Sequence, residues 1–498
     1  MDLASDGQAT GAGGRDDDGD RPREACGVIA VHAPGQPVVG TISDGLHALQ
    51  HRGQESAGLA ISQGTTITVV KNTGLVTDVL NRRTVGFLEG HLGIGHTRYS
   101  TTGASTWENS QPSFRSTRST DFALAHNGNL TNTVAIAQRV GVSPVGASND
   151  TDRIAELLAE ELDTDHGWTF EQAVARVVPQ LEGAFSLVLM NRHCIIGVRD
   201  PNGFRPLCLG KFGDGGWVLA SETAALDTIG AQFVREVLPG EMVVIDQPDT
   251  PNSVTAPCSV YPFAPERIDP KLCLFEFVYL ARPDSYLCGA EVHAARMRMG
   301  AMLARKAPVD ADMVMGVPES GIPASEGYAQ ESGLPWGTGL VKNRYIGRSF
   351  INPTQGDRER NVRRKLNVLK ERVRGKRLIV VEDSIVRGTV TRYLAKMLRD
   401  AGATEVHLRI TLPPVKWPCY YGIDIGSREE LLAANHTLED IRQLLGVESL
   451  AYLGVADLRA AIGLRDPGLC DACMTNNYPT SIPLNNTRAL ERTADPVG

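Results

Sequence analysis

The sequence predicts two domains of different fold class, an α+β domain followed by an α/β domain with a parallel sheet. From Cys26 to about residue 255, short strand-like runs are broken by Gly, Asn and Asp, and two helical stretches interrupt them. From about 290 to 412, compact apolar strands alternate with helical segments, which is typical of a doubly wound sheet. Residues 249–272 contain five prolines and little periodicity, which predicts a linker between the two domains.

The individual elements follow from short apolar runs bounded by turn residues. Strands are predicted in the first half at Gly27–Val31, Thr66–Val70, Ala123–Ala125, Phe185–Met190 and Met242–Ile245, with helices near Ile42–Leu49 and Asp152–Glu161. Strands are predicted in the second half at Met313–Val317, Leu378–Val381 and Val406–Ile410, with a helix at Thr389–Ala401. The tail from 427 to 498 is mixed, and we expect a helical segment over 437–461.

Composition and charge exclude several classes of protein. The 498 residues carry a net charge of −8, which argues against a general nucleic-acid or membrane-surface binder. No run of about 18 apolar residues is present, so no membrane span is predicted. The acidic leader has no apolar core, so it is not a secretory signal and we expect a cytoplasmic protein. In that setting the nine cysteines favour thiolate chemistry or metal binding over a disulfide framework.

Cys26 lies at an abrupt change in the composition of the sequence. Residues 1–25 are rich in Gly, Asp and Arg and cannot bury a core, whereas the residues after Cys26 form an apolar, β-branched run. A propeptide over 1–25 would leave, once cleaved, a thiol and a free α-amine on one residue, which is a nucleophile with its own base. The alternative is a buried structural cysteine behind a flexible tail.

A phosphate site is predicted where the strand at 378–381 ends. Two carboxylates end the strand, and a Gly/Thr loop then opens a helix whose N–H groups and dipole favour a phosphate. The carboxylates suit ribose hydroxyls or a Mg²⁺ ion shared with phosphate oxygens. The candidate binding residues are Glu382, Asp383, Ser384, Arg387, Gly388 and Thr389. The alternative is an ordinary β-α turn with an acidic helix cap.

This string resembles the motif of type I phosphoribosyltransferases that binds phosphoribosyl pyrophosphate (PRPP). The family usually has Asp-Asp where this chain has Glu382 and Asp383, which keeps the charge but moves one carboxylate. The string 316–321 fits the family's pyrophosphate loop, so the resemblance implies a Mg²⁺ site that includes Ser320 beside the two carboxylates. The family fold is an α/β domain with a parallel sheet.

A strongly basic segment lies between these strings. Residues 341–377 hold thirteen Lys or Arg and three Asp or Glu, a net charge of +10 inside an acidic chain. Such a stretch is often a solvated face or a nucleic-acid patch. Beside a sugar-phosphate motif it is better interpreted as a source of cations for a polyphosphate, with Lys342, Arg344 and Arg348 best placed and Gly347 allowing a lid to close.

Several strings of the first half resemble the glutaminase domain of N-terminal-nucleophile amidotransferases, which is an αββα sandwich. They are Cys26-Gly27, Gly95–Thr101, His126–Leu130 and Asn149–Asp152, in that order, and the resemblance covers roughly 26–250. Each string alone is weak, since an Asn-Gly turn or an Asp cap is common. The family has Ser-Asp where this chain has Asn149-Asp150.

The chemistry of such a domain explains these residue types. The Cys26 thiolate would attack the glutamine amide, with the side chain of Asn127 and the N–H of Gly128 as donors to the oxyanion. Arg98 would bind the substrate carboxylate in a two-pronged ion pair. Asp150 would hold the substrate ammonium, although Asp152 is a second candidate for that role.

Four cysteines in three distant segments form the last pattern. Cys470 and Cys473 make a CxxC motif, which by itself is a redox pair, half of a zinc site, or chance. With Cys273 and Cys419 they match the four cysteines that ligate a 4Fe-4S cluster in one branch of the glutamine PRPP amidotransferases. Zinc is the main alternative for a four-cysteine site.

The resemblance to glutamine PRPP amidotransferases implies an enzyme of purine synthesis that transfers ammonia from glutamine to PRPP with Mg²⁺. It also implies a homotetramer inhibited by purine nucleotides. Two alternatives remain, another glutamine amidotransferase of the same class, or a PRPP-sensing regulator with an inactive glutaminase domain. The predicted boundaries are a propeptide 1–25, a glutaminase domain 26–255, an interdomain linker 256–289, a phosphoribosyltransferase domain 290–465 and a tail 466–498 with the CxxC.

Overall fold

The computed structural model describes most of the chain. It covers residues 26–99, 107–141, 149–213, 215–246, 256–343, 364–425, 427–464 and 468–482. The predicted propeptide 1–25 and the predicted phosphate contacts Arg344 and Arg348 lie outside the described residues. None of the helices described is long and apolar enough to cross a membrane.

The first half contains two antiparallel sheets. Its strands are β1 (Gly27–His32), β2 (Ser56–Ser62), β3 (Ile67–Thr73), β4 (Leu92–Arg98), β5 (Ser113–Ser116), β6 (Asp121–Leu130), β7 (Gly183–Met190), β8 (Cys194–Arg199), β9 (Cys208–Lys211), β10 (Trp217–Ala220), β11 (Gln232–Glu236), β12 (Met242–Asp246) and β13 (Cys258–Val260). One sheet has the order β11-β9-β10-β1-β4-β2-β3, and the other has the order β13-β12-β8-β7-β6-β5.

Helices cover the outer faces of both sheets. They are α1 (Val39–Ala48), α2 (Val76–Val79), α3 (Arg82–Val85), α4 (Thr133–Arg139), α5 (Asp150–Leu162), α6 (Phe170–Val177) and α7 (Thr223–Thr228). On β7, Leu187 and Leu189 pack toward α5 and α6, while Val188 and Met190 pack between the sheets. Because both faces of the strand are covered, it is apolar throughout instead of alternating. The layers are therefore helix, sheet, sheet and helix.

The second half begins with short elements and continues as an α/β unit. Its elements are β14 (Lys271–Cys273), a π-helical turn (Glu276–Leu280), β15 (Tyr286–Leu287), β16 (Ala290–Glu291), α8 (Val292–Lys306), β17 (Met313–Gly316), α9 (Gly321–Ser332), β18 (Leu340–Lys342), β19 (Leu366–Val368), α10 (Lys370–Val373), β20 (Arg377–Glu382), α11 (Thr389–Asp400), β21 (Glu405–Ile410), α12 (Leu432–Asn435), α13 (Leu438–Leu445), β22 (Ser449–Tyr452), α14 (Val455–Ile462), β23 (Gly468–Cys470) and α15 (Ala472–Thr475).

Four of these strands form one parallel sheet in the order β17-β20-β21-β22. Ile379 and Val381 of β20 pack into the core that includes α8 and α9, whereas Leu378 and Val380 pack into the core with α11 and α13. Both faces of the sheet are thus covered by helices, as a doubly wound fold requires. The predicted fold class of each half is confirmed.

Two segments differ from their expected secondary structure. The proline-rich stretch contributes β13, which pairs with β12 and extends the six-stranded sheet past residue 255. The tail helix expected over 437–461 is two helices, because Gly446 adopts the left-handed conformation (φ +68°) after α13 and the chain then forms β22. This short strand adds to the edge of the parallel sheet, a long-range pairing that local helix propensity does not reveal.

Candidate active site

Cys26 immediately precedes β1 and lies in the interior of the first half. Its side chain is buried, and its thiol donates to the backbone carbonyl of Tyr99 over 3.6 Å. Burial raises the pKa of the Cys26 thiol, and the nearby charge of Arg98 opposes that effect. A thiol in this position needs a base to form the nucleophilic thiolate.

Strand β6 carries the predicted oxyanion donors. Asn127 is fully buried, and among the described residues neither its Oδ1 nor its Nδ2 has a hydrogen-bond partner. Such an unpaired amide is costly unless a ligand completes it, so it is suited to receive a substrate oxygen. Gly128 has φ +151°, and a Cβ there would lie 2.1 Å from the carbonyl oxygen of Ala184. Only glycine therefore lets β6 approach β7 this closely at that position.

The predicted substrate anchors lie close enough to Cys26 for their charges to act on its thiol. Arg98 ends β4 and is buried, while Asp150 is the first residue of α5. Burial raises the pKa of Asp150, but His126 and the N–H of Leu130 outweigh burial, so the pKa lies below its ordinary value. Asp150 is thus held ionised, as an ammonium anchor requires.

The structure separates the two candidate carboxylates on α5. Asp152 accepts from the hydroxyl of Ser113 (2.7 Å) and lies 3.4 Å from Arg115, so it belongs to a contact between α5 and β5. Asn149 caps the helix through its side chain, which accepts from the Asp152 N–H at 2.9 Å. The capping role is therefore taken by Asn149, and Asp150 remains directed toward the Cys26 region.

The second predicted site lies at the carboxyl ends of β17 and β20. Glu382, Asp383 and Ser384 are all buried there. The hydroxyl of Ser320 donates to Oδ2 of Asp383, and that of Ser384 donates to Oδ1 at 2.5 Å. The two strands are parallel neighbours, so their following loops meet at one edge of the sheet. A Cβ on Gly321 would lie 2.4 Å from the carbonyl oxygen of Val381, which explains the glycine.

The remaining phosphate-site candidates are spread more widely. Gly388 adopts a left-handed conformation (φ +79°) just before Thr389 opens α11, so the first turn of that helix faces the motif. Arg387 is engaged by Glu430 at 2.9 Å. Lys342 lies on β18 with its side chain exposed. Apart from Arg344 and Arg348, the structure thus locates every predicted contact of this site.

The donor set at this edge suits Mg²⁺. Mg²⁺ prefers oxygen ligands, and it commonly takes one or two carboxylates together with water and substrate phosphates. Ser320, Glu382 and Asp383 supply a hydroxyl and two buried carboxylates. Within the described ranges, no group of three or more His, Cys, Asp or Glu side chains is arranged to hold a metal ion by itself. The residues present fit a metal that substrate phosphates complete.

The four candidate cluster cysteines belong to separate segments of the chain that lie together in the folded structure. Cys273 on β14 is opposite Cys470 on β23, and the carbonyl of Cys473 accepts from the N–H groups just before Cys419. All four are buried in one hydrophobic cluster, and all four are free thiols. Burial raises the pKa of Cys273 to about 12 and those of Cys470 and Cys473 well above their usual range.

This cysteine set fits an iron-sulfur cluster on chemical grounds. The N–H of Tyr421 points at Sγ of Cys419 over 3.3 Å, a backbone donor of the kind that stabilises a metal-bound thiolate. Since burial raises the pKa values of Cys273, Cys470 and Cys473, these thiols need a strongly positive group to become thiolates. Four cysteines from three segments of one hydrophobic cluster could thus supply four thiolate ligands.

The loop that carries Cys419 also contacts the strand of the oxyanion donors. Asn129 on β6 donates its Nδ2 to the carbonyl of Tyr420 at 2.9 Å. A Cβ on Gly422 would lie 3.1 Å from the backbone of Gly128. The oxyanion strand β6 therefore packs directly against the loop that carries Cys419.

A buried ion network strengthens the same contact, and sequence reasoning did not foresee how its members pair. Arg52 binds both Glu222 and Glu276, with a distance of 2.6 Å to the second, and Arg205 lies 3.1 Å from Glu276. All four side chains are fully buried. Arg205 also donates to the carbonyl of Tyr421 at 2.8 Å. No local pattern pairs these residues with one another, because each partner comes from a distant part of the chain.

Comparisons with known proteins agree with this geometry. A family model described as "Glutamine amidotransferase domain" matches residues 96–228. An amidophosphoribosyltransferase of Mycobacterium tuberculosis is 49% identical over 475 residues, which is 93% of this chain and 88% of that protein. The amidophosphoribosyltransferase of Archaeoglobus fulgidus is 44% identical over 92% of this chain and 98% of its own.

Solved structures show the same relationship. The glutamine PRPP amidotransferase from B. subtilis, complexed with ADP and GMP, is 41% identical, with a TM-score of 0.84 over 93% of this chain and 99% of that one. A second structure, of the allosteric regulatory enzyme of purine biosynthesis, is also 41% identical with a TM-score of 0.84. These matches confirm a glutaminase domain joined to a phosphoribosyltransferase domain. The chain belongs to the amidophosphoribosyltransferase family.

Proposed function

We propose that this enzyme makes 5-phosphoribosylamine, glutamate and pyrophosphate from glutamine, water and PRPP, the first step of purine nucleotide synthesis. The observation that carries the proposal is the surrounding of Cys26. A buried thiol, an unpaired buried amide at Asn127, and the charges of Arg98 and Asp150 occupy one region. This set matches the amide, carboxylate and ammonium of glutamine, and the second site in the same chain offers an acceptor.

In the proposed glutaminase reaction, Sγ of Cys26 attacks the side-chain amide carbon of glutamine. The α-amine of Cys26, freed by removal of residues 1–25, takes the thiol proton and passes it to the departing ammonia. Asn127 and the N–H of Gly128 stabilise the oxyanion of the tetrahedral intermediate. Water then hydrolyses the thioester, which releases glutamate and restores the thiol.

In the proposed transfer reaction, ammonia attacks C1 of PRPP and pyrophosphate leaves. Glu382 and Asp383 position the ribose hydroxyls, and the N–H groups of the loop at Gly388 and Thr389 hold the 5-phosphate. Bound Mg²⁺ would be held with Ser320 and the two carboxylates and would neutralise pyrophosphate charge. Lys342, with Arg344 and Arg348, would supply further cations. The protein contributes positioning and charge complementarity here, so little covalent chemistry is required of it.

We also propose a 4Fe-4S cluster on Cys273, Cys419, Cys470 and Cys473. The reaction has no redox step, so the cluster would be structural or oxygen-sensing. Four iron and four inorganic sulfide atoms per chain, with a broad visible absorption after anaerobic purification, would support it. Bound zinc, or no metal with a featureless visible spectrum, would contradict it.

The assembly and control of the enzyme are proposed from the family. The resemblance implies a cytoplasmic homotetramer inhibited by purine nucleotides, and the ADP and GMP in the B. subtilis structure support the nucleotide part. Nucleotide inhibition of product formation and sedimentation of the intact protein test the two parts separately.

The decisive experiment measures glutamate release and phosphoribosylamine formation together. Protein whose first residue is Cys26, shown by mass spectrometry, should release glutamate and consume PRPP. Cys26→Ser should lose glutamine use while ammonium salts still support product formation. Binding of PRPP with no product from either nitrogen source would contradict the enzyme and favour a PRPP-sensing regulator. Glutamine hydrolysis by protein that retains residues 1–25 would contradict the role of the α-amine.

A further inference from the structure

His126 precedes the predicted oxyanion donor Asn127, and every polar atom of it is engaged. Its N–H donates to Oε1 of Gln111 at 2.7 Å, and its carbonyl lies 3.2 Å from Nε2 of His96. On the ring, Nδ1 lies 3.4 Å from Oδ2 of Asp150, and Nε2 lies 3.2 Å from the carbonyl of Ala184. Only 2% of the residue is exposed, so water does not replace these partners.

The chemistry of the ring partners limits what His126 does. A carboxylate oxygen and a carbonyl oxygen are both acceptors, so a ring nitrogen bonds either of them only by donating a proton, and a neutral imidazole carries that proton on one nitrogen. With the proton on Nδ1, the ring donates to Asp150 and orients its carboxylate, while Nε2 lies beside the carbonyl of Ala184 on β7. Asp150 accepts in addition from the N–H of Leu130 at 3.2 Å, so its carboxylate is held from two directions.

We propose that His126 is a positioning residue that orients the carboxylate of Asp150 toward the ammonium group of glutamine. The inference rests on the proposed glutaminase function and deepens it, because it assigns the support of the ammonium subsite to a residue that does not touch substrate. The neighbouring oxyanion donor Asn127 lies on the opposite face of β6, since successive side chains of a strand alternate. Strand β6 would thus bind the amide end of glutamine directly through Asn127, and it would position the ammonium end through the contact of His126 with Asp150.

The charged surroundings agree with this role. Among the groups near the carboxylate, His126 is the strongest of those that lower the pKa of Asp150, and Arg153 adds to it. Cys26, Arg98 and Glu55 are further charged or titratable groups near the site, and Nε2 of His96 contacts the backbone carbonyl of His126. The pKa of His96 is lowered to about 3, chiefly by burial, so that imidazole stays neutral at physiological pH.

Three substitutions of His126 distinguish the role of Nδ1 from that of Nε2. His126→Asn keeps an amide donor near the place of Nδ1, His126→Gln keeps a donor near the place of Nε2, and His126→Leu removes both. The exposed His193 on the turn between β7 and β8 provides a matched control, His193→Leu. Ammonia-dependent product formation reports on whether each variant remains folded.

The test compares glutamine with glutaric acid monoamide, which has the same amide and carboxylate but no α-amino group. For His126→Leu and His126→Gln we expect the ratio of kcat/KM for glutamine to that for the monoamide to fall at least about tenfold, through KM for glutamine. His126→Asn should restore the ratio to within about threefold of wild type, and His193→Leu should leave it unchanged.

Distinct outcomes would overturn the inference and the proposed function. If His126→Leu weakens use of both substrates equally, or if His126→Gln retains the preference better than His126→Asn, the ring does not orient the ammonium anchor. If Asp150→Asn also leaves the ratio at the wild-type value, the assignment of Asp150 is refuted. If the wild-type enzyme with Cys26 at its N-terminus releases no glutamate, the proposed function itself fails.

Discussion

Replacement of Glu276 by Gln would leave the buried ion network with one uncompensated positive charge. Glu276 accepts from Nη2 of Arg52 at 2.6 Å and from Nη1 of Arg205 at 3.1 Å, and none of the three side chains is exposed. In wild type the two guanidinium groups are balanced by two carboxylates. In the variant only Glu222 remains to balance them.

The expected cost follows from burial. Removing one partner from a buried ion pair costs about 3–5 kcal/mol, because the remaining charge stays out of water without a counter-charge. For domains of the size of either half, each kcal/mol lowers Tm by about 2–4 °C, which predicts a fall of about 6–20 °C. Because Glu276 is the only member of the network from the second half, the contact between the halves should weaken first.

Differential scanning fluorimetry at neutral pH measures this loss, and Glu331→Gln is the matched control. Glu331 forms two contacts of 2.7 Å with Arg305, but that pair is solvent-exposed, so its loss should change the stability little. The expected order is therefore a large fall for Glu276→Gln and a small one for Glu331→Gln. Equal shifts in Tm would refute the argument that burial makes the network essential.

Asn127→Ala should lower kcat for glutamine hydrolysis by about 10²–10³-fold in steady-state assays, while ammonia-dependent product formation persists. A loss of both activities would place Asn127 outside the oxyanion site. Asp383→Asn should abolish use of PRPP and spare basal glutamate release, because Asp383 lies beside Ser320 at the predicted phosphate site. Equal loss of both activities would contradict two separate sites. Burial lowers the pKa of His32 to about 4, so below pH 6.5 the unfolded chain binds a proton there that the folded chain does not. The stability contributed by neutral His32 is present above pH 6.5 and falls by about 2 kcal/mol at pH 5. His32→Phe should therefore show a drop in Tm between pH 7.5 and pH 5 that is smaller than that of wild type by about 4–8 °C, and identical drops would contradict the sign.

Local patterns were sufficient to predict candidate site residues where the reactive residue types lie in a short string. The change of texture at Cys26, the Asn127-Gly128 pair and the strand-to-loop string at Glu382 and Asp383 each combine a secondary-structure signal with reactive residue types. The fold class of each half was predictable for the same reason, since strand and helix periodicities are local. The family match confirms that class and the glutamine amidotransferase domain.

Local patterns were insufficient where the partners are distant in sequence. Asp150 and Asp152 are two residues apart and equally acidic, and only the contact of Asp152 with Ser113 separates their roles. Glu276 meets Arg52 across 224 positions of the chain, a pairing that no periodicity marks.

The sequence by itself determined the fold class of each half and the prediction of a cysteine site and a sugar-phosphate site, because each of these depends on residues within a short stretch of chain. Only the tertiary structure decided how the sites are supported and joined. In the folded chain the carboxylate of Asp150 contacts the ring of His126, and the loop that carries Cys419 packs against β6. The physical reason is that burial makes unpaired polar and charged groups costly, so their partners are chosen by proximity in the folded chain and not by sequence spacing.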